Sequence, residues 1–226
     1  MFARHDLVWL SDHGWQAALN SAAPHCRYAI ELWQQAEWPA IVRRADAGTL
    51  DHEVCLGIGL PPNPADGSKK RIPLRAPVSD ITKTAGPLRI DAVIAAAPAA
   101  WRAGLAALQQ QAQQRDLSLR IYGSLALQTL TKQCYITAAS DIDLLLIPAT
   151  SGQLSAGLDL LACHAAVLPL DGEIVFPSGQ AVAWKEWRNA ISASSNMRVL
   201  VKGKQSVSLQ NTAALLSTLA DHSCVI

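Results

Sequence analysis

Two aspartates separated by a single residue, Asp141 and Asp143, carry the strongest chemical signal in the chain. On an extended segment, side chains alternate between faces, so residues i and i+2 project to the same side. Two carboxylates held that close repel each other, and a strand tolerates them only with compensation. Mg²⁺, which takes hard carboxylate oxygens, is the natural compensation. Upstream stands Gly123-Ser124. A glycine at a strand-to-helix turn lets the backbone approach a ligand closely. The Ser124 hydroxyl and the free N–H groups of the helix start can then hold a phosphate. An anion cradle beside an acid pair suits phosphoryl or nucleotidyl transfer, where catalysis is mostly positioning and charge neutralisation. A third carboxylate would complete a metal site. Asp171 and Glu173 are again two apart on a predicted strand. Glu173 has the better local pattern, because the following Ile-Val-Phe would lock it into a sheet; Asp171 is the substitute.

These groups need a rigid scaffold. Leu144–Ile147 is wholly apolar, as expected of a strand buried on both faces, so the acid pair opens a predicted strand at Asp141–Ile147. Leu117–Tyr122 reads as a strand that ends at the glycine turn, and a helix runs from Gly123 to about Lys132. Ala99–Arg115 places Trp101, Leu105, Leu108 and Ala112 at helical spacing. A helix over 153–164, a strand at Leu170–Phe176, a helix over 182–191, a strand at Met197–Lys202 and a helix over 211–220 follow. The alternation predicts an α/β (α+β) fold with a central mixed sheet in this half. The first half is more irregular. Its clearest strands, Glu53–Leu60 and Arg71–Arg75, flank a loop rich in proline, with a glycine, at 61–68. A second Pro- and Gly-containing stretch, 76–87, marks the boundary between a small α+β domain over 1–84 and a catalytic domain over 85–226.

Composition narrows the class. The 226 residues are 50% hydrophobic and 16% charged, which excludes intrinsic disorder. Lys and Arg total 19 against 18 Asp and Glu, so the broad basic footprint of a nucleic-acid binder is missing. The most apolar run, Ala92–Trp101, contains Pro98 and is about half the length of a bilayer span. The start lacks the apolar core of a signal peptide. Neither a membrane nor nucleic acid is therefore expected as partner. Cys26, Cys55, Cys134, Cys163 and Cys224 are odd in number and far apart, which argues against a disulfide framework or zinc knuckle and for a reduced, cytoplasmic chain with core cysteines.

The Gly-Ser turn, the Asp-x-Asp strand and the later strand carboxylate resemble the DNA-polymerase-β-like nucleotidyltransferase superfamily. A longer string is more specific: Tyr122-Gly-Ser-x-x-x-Gln128-x-x-Thr131-x-x-x-Tyr135-x-x-x-x-Ser140-Asp-Ile-Asp-Leu-Leu-Leu. It is similar to the signature of the malonate decarboxylase holo-acyl-carrier-protein synthase family. Phe176-Pro-Ser-Gly-Gln-Ala-Val-Ala-Trp184-Lys185-Glu186-Trp187, Val199-Leu-Val-Lys202, Arg4-His5-Asp6 and Arg43-Arg44 fit the same family. Leu127 departs from it, standing where an aromatic residue is expected. The resemblance implies a Mg²⁺-dependent transfer of a phosphoribosyl-dephospho-coenzyme A unit from its triphosphate precursor, triphosphoribosyl-dephospho-coenzyme A. The acceptor would be a serine of the acyl carrier protein subunit of malonate decarboxylase, and pyrophosphate would leave. Asp141, Asp143 and Glu173 would bind the metal. Glu173 or Asp171 would help deprotonate the serine, and Gly123 and Ser124 would hold the pyrophosphate. The alternative within the superfamily is a nucleotidyltransferase that uses an ordinary nucleoside triphosphate.

Other residues carry two readings each. Lys69-Lys70-Arg71 with Arg75 is the densest basic cluster; it would clamp cofactor phosphates or meet an acidic carrier, or it is a solvated loop running into an edge strand. Arg43-Arg44 is read in the same way. Lys202 closes an apolar strand, aimed at the site or simply ending the strand. Gln128, four residues after Ser124, shares its helix face and would orient the phosphate loop or cap it. Trp184 and Trp187 are read as core in preference to an adenine stack.

Overall fold

The computed structural model describes residues 2–193 and 197–220, and the chain divides there into two units. The first is built from the stretch up to Pro87 together with Leu130–Tyr135. The second holds Leu88–Thr129 and the chain from Ile136 onward. The last residue named as a cysteine candidate, Cys224, lies outside the described residues.

The first unit is a five-stranded antiparallel sheet with two helices. Its elements are β1 (Leu7–Leu10), α1 (Asp12–Ser21), α2 (Arg27–Gln35), β2 (Ala40–Val42), β3 (Glu53–Gly59), β4 (Arg71–Pro77) and β5 (Ile81–Ala85). The sheet order is β4-β3-β2-β1-β5. Ser11 caps α1 by accepting from the Gly14 N–H at 3.1 Å, which satisfies one of the orphan donors at a helix start. Trp15, Ala18 and Leu19 of α1 and Ile30 and Trp33 of α2 are buried. Ile72, Leu74 and Ala76 of β4 face inward, alternating with outward Arg71, Pro73 and Arg75. Tyr135 is buried in this unit, and its hydroxyl donates to the Gly59 carbonyl at 2.8 Å.

The second unit is α+β with a mixed sheet. It contains α3 (Ile90–Val93), α4 (Ala99–Gln114), β6 (Leu119–Ile121), α5 (Gly123–Thr131, its last two residues grouped with the first unit), β7 (Ile142–Leu146), α6 (Ser151–His164), β8 (Leu170–Val175), β9 (Ala181–Ala183), α7 (Trp184–Ala193), β10 (Arg198–Lys202), β11 (Val207–Asn211) and α8 (Thr212–Leu216). The order is β11-β10-β9-β8-β7-β6. Among the described strands of this sheet, β7 and β8 pair in parallel, the crossover between them being α6, and the other pairs are antiparallel. A parallel pair needs such a crossover, and the helix buries one face of the sheet. Leu105, Leu108 and Ala112 of α4 join Leu144 and Leu146 of β7 and Leu158 and Leu161 of α6 in one core. Trp184 and Trp187 are core residues, with Phe176 4.9 Å from Trp187 between ring centroids.

Three local expectations differ from the structure. Ile147 lies past the end of β7 and is exposed, so the apolar run is buried only through Leu146. Cys134 and Cys163 are exposed and Cys26 is half-buried, leaving Cys55 as the buried cysteine among those described. The helix expected over 182–191 begins only at Trp184, after β9, and that expected over 211–220 is α8, which ends at Leu216; β9 and β11 themselves are too short or too polar to show a readable alternation. Among the described residues, no helix is long and apolar enough to cross a membrane.

Burial pushes the Tyr135 phenol up to about 12. The folded state therefore holds its proton to higher pH than the unfolded chain, and the associated stability is lost as pH rises from about 10 towards 12. Tyr135→Phe is expected to cost about 1 kcal/mol at neutral pH through the lost hydrogen bond and to remove part of the alkaline destabilisation. Thermal unfolding of both proteins across that pH range checks it.

Candidate functional site

The site begins where three strand ends meet. Ile121 of β6 pairs with Leu144 of β7, and the Tyr122 N–H donates to the Asp143 carbonyl at 3.0 Å. The ladder thus continues one step past β6, which puts the Gly123 turn directly beside Asp143. Gly123 has φ +68°, a conformation that glycine adopts without penalty. A Cβ there would collide with the Asp143 carboxylate, lying 2.8 Å from its Cγ and 3.0 Å from its Cβ. The missing side chain is therefore the space that the Asp143 carboxylate occupies. Ser124, at the start of α5, is buried.

Asp141 precedes β7 and is placed by the turn before it. The Ser140 hydroxyl accepts from the Thr137 N–H at 3.0 Å, while the Ser140 N–H donates to the Thr137 carbonyl at 3.0 Å. Ser140 is itself buried. On the parallel neighbour, Asp171 is the register partner of Asp143. Between Asp171 and Glu173 sits Gly172, with φ +134°; a Cβ on it would meet the backbone of Leu144, 2.7 Å from the nitrogen. That glycine lets β8 lie tightly against β7 and brings the two acid-bearing strand ends together.

The result is a carboxylate cluster. One oxygen from each of Asp141, Asp143 and Asp171 lies within 4.8 Å of the others. Asp141 is exposed and the other two are half-buried. Three hard oxygens on rigid strand ends are a donor set suited to Mg²⁺. Like charges in register on adjacent strands are unfavourable without a cation. A cation already stands at one of them: Lys185, at the start of α7, places its Nζ 3.3 Å from the Asp171 Oδ1.

Glu173 is outside that cluster. It is the register partner of Leu145, two residues deeper along β8. Its side chain is 5% exposed and its Oε1 accepts from the Lys202 Nζ at 2.7 Å. A buried carboxylate needs such a counter-charge, because an isolated buried charge carries a large desolvation cost. The geometry thus pairs the two lysines with different carboxylates of one strand, Lys185 at the mouth and Lys202 inside. Lys202 is a strand-end residue whose charge is spent on Glu173.

The remaining candidates separate. Gln128 donates from Nε2 to the Ala96 carbonyl at 2.7 Å and accepts at Oε1 from the Ile136 N–H at 3.1 Å. It braces α5 against two stretches of backbone. Lys70 and Arg71 are exposed and belong to the first unit, at the start of β4. Lys185 is the residue that sequence reasoning missed as a site group. The only available signal was its place in the Trp-Lys-Glu-Trp string; its carboxylate partner is set by tertiary structure.

Comparison with known proteins covers nearly the whole chain. The family model described as "Phosphoribosyl-dephospho-CoA transferase MdcG N-terminal domain" matches residues 3–87. The corresponding C-terminal domain model matches 87–213. Relatives named "Phosphoribosyl-dephospho-CoA transferase" include one from Xanthomonas campestris pv. campestris, 39% identical over 218 residues, or 95% of this chain and 97% of the relative. Another, from Bradyrhizobium diazoefficiens, is 33% identical over 95% of this chain and 92% of its own length. One from Pseudomonas putida is 31% identical over 88% of both chains. No solved structure matches.

Two outcomes test this geometry. Gly123→Ala is expected to cost about 1–3 kcal/mol in stability from the left-handed backbone alone, and to lower transfer activity by at least about a hundredfold by displacing the Asp143 carboxylate. Asp171→Asn and Glu173→Gln are expected to diverge. The first weakens Mg²⁺ binding, read by calorimetry on the folded chain, with little change in melting temperature. The second leaves Mg²⁺ binding in place and lowers the melting temperature, because Lys202 loses its buried counter-charge.

Proposed function

Because the chain belongs to the phosphoribosyl-dephospho-CoA transferase family, we propose that it transfers a phosphoribosyl-dephospho-coenzyme A group from triphosphoribosyl-dephospho-coenzyme A to a serine of the malonate decarboxylase acyl carrier protein. The observation that carries this reading is the cluster of Asp141, Asp143 and Asp171 beside the Gly123 turn. Asp141, Asp143 and Asp171 would hold Mg²⁺. When bound, Mg²⁺ supplies positive charge against the triphosphate oxygens.

The chain's own groups account for the rest of the step. The carrier serine oxygen attacks the phosphorus next to the ribose, and a new phosphodiester bond forms. The bond from that phosphorus to the pyrophosphate oxygen breaks, and pyrophosphate leaves with the bonding pair. Gly123 and Ser124, at the start of α5, receive the departing anion at the helix N-terminus. The serine proton passes to a carboxylate of the cluster. Asp171 is the better placed of the two β8 acids for this role, since it lies half-buried in the cluster whereas Glu173 is buried outside it. Lys185, exposed at the mouth of the cluster, adds a mobile positive charge for the triphosphate. Glu173 and Lys202 serve as the buried support beneath.

Intact-mass spectrometry of the apo carrier tests the proposal after incubation with the chain, Mg²⁺ and the triphosphoribosyl donor. The expected result is a mass gain equal to donor minus pyrophosphate, lost when Asp143→Asn replaces the native chain. ATP and CTP run in parallel. A carrier left unmodified by the triphosphoribosyl donor but labelled by a nucleoside triphosphate would overturn the donor assignment in favour of ordinary nucleotidyl transfer.

A further inference from the structure

We propose that the arginine-rich sheet face at the β3–β4 edge of the first unit is a docking surface for an acidic protein surface, that of the carrier protein which accepts the transferred group; this rests on the transfer reading above. The face is built by alternation. Arg71, Pro73 and Arg75 point outward from β4, the edge strand, opposite Gly59, Gly57 and Cys55 of β3. Gly57 and Gly59 add no side chains, which leaves room on this face for the Pro73 ring and for an arginine from a neighbouring strand.

A third arginine reaches the same face from elsewhere in the sheet. Arg43 follows β2, an interior strand. Its Nε donates to the Leu56 carbonyl at 2.9 Å, and its Cδ lies 3.8 Å from where a Gly57 Cβ would stand. Arg43 and Arg75 both bond to Asp46, Arg43 through two nitrogens. The Arg43 guanidinium, with Arg75 behind it, holds the Asp46 carboxyl well below the usual carboxylate range. One acid thus fixes two arginines and neutralises only one charge. Arg44, Lys69 and Lys70, neighbours of these arginines in sequence, are exposed, as is Arg71.

Edge strands commonly carry charge to discourage pairing with other chains. That explains Arg71 and Arg75 taken singly. It does not explain why Arg43 leaves an interior strand to converge on the same face, or why Asp46 holds two guanidinium groups in fixed orientation. Arg43 turns its donors inward, to the Leu56 and Arg44 carbonyls and to Asp46, and so braces the network, while the exposed Arg71 and Arg75 are the guanidinium groups placed to meet carboxylates of a partner. The shape selects a protein over a small anion. Arg71 to Arg75 spans about 13 Å along the strand, and β2 to β4 spans about 9–10 Å across the sheet. Small-molecule sites are concave, whereas this is the outward face of a sheet edge.

The test uses the full chain and the apo carrier. Binding is read by calorimetry without donor, and KM values for carrier and donor are read separately in the transfer assay, each at low and high salt. The double variant Lys70→Glu/Arg71→Glu is expected to weaken carrier binding and raise the carrier KM about tenfold or more at low salt, with the donor KM unmoved. Lys83→Glu, the same kind of reversal on β5 at the opposite edge of the sheet, should change neither. Thermal unfolding confirms that the variants are folded. An unmoved carrier KM, a rise in the donor KM instead, or an equal effect from Lys83→Glu would overturn the proposal. A native chain that binds the carrier through this face yet never modifies it would sink the transfer reading and leave the surface standing.

Discussion

The repulsion among Asp141, Asp143 and Asp171 is the constraint around which the second unit is arranged. Three carboxylates gathered this closely are stable only where the backbone cannot move them apart and where positive charge is at hand. Both conditions are met by the sheet. Parallel pairing of β7 and β8 puts Asp143 opposite Asp171, and the core beneath, from Leu144 and Leu146 to Ile174, fixes both strands. Gly172 permits the strands to close up, and Gly123 clears the volume into which Asp143 projects. The positive charge comes in part from Lys185. The acid cluster stands at the strand ends and the apolar core beneath holds those strands.

The same logic explains the division of labour along β8. Asp171 and Glu173 share one face of one strand, yet they live in different surroundings. Asp171 stands at the strand mouth, half-buried, where a ligand can reach it. Glu173 lies one pleat deeper, opposite Leu145, where Lys202 from β10 pairs with it. A step of two residues thus separates a half-buried member of the acid cluster from a buried carboxylate paired with a lysine.

That distinction was beyond the reach of the sequence, and the reason is physical. Period-two alternation tells which face a residue takes, but not which residue of the next strand it meets. Register between β7 and β8 is set by long-range packing, so the apolar run after Glu173 does not tell that Asp171, and not Glu173, stands opposite Asp143. The Asp141–Asp143 pair and the Gly123 turn were legible because their geometry is local: a strand, a turn and a helix start within one short stretch. The long helix at Ala99–Gln114 was legible because its apolar spacing is regular. β9, three residues long, and β11, mostly exposed, exist because β8 and β10 offer open edges. α1 and α2 of the first unit went unplaced amid tryptophans and short polar stretches. Lys185 was visible as a letter, but its partner became visible only once α7 was set against β8.

The membership of Leu130–Tyr135 in the first unit bears on how the chain is made. A ribosome releases the polypeptide from its N-terminus, and contiguous domains can fold in that order as they emerge. Here the strands and helices of the first unit are synthesised by Pro87, but one piece of its interior is not. The Gly59 carbonyl waits for the Tyr135 hydroxyl, and between them the chain must first produce α3, α4, β6 and the Gly123 turn. The first unit therefore reaches its finished state only after the Gly123 turn of the second has been translated, and no single cut in the chain yields both units whole.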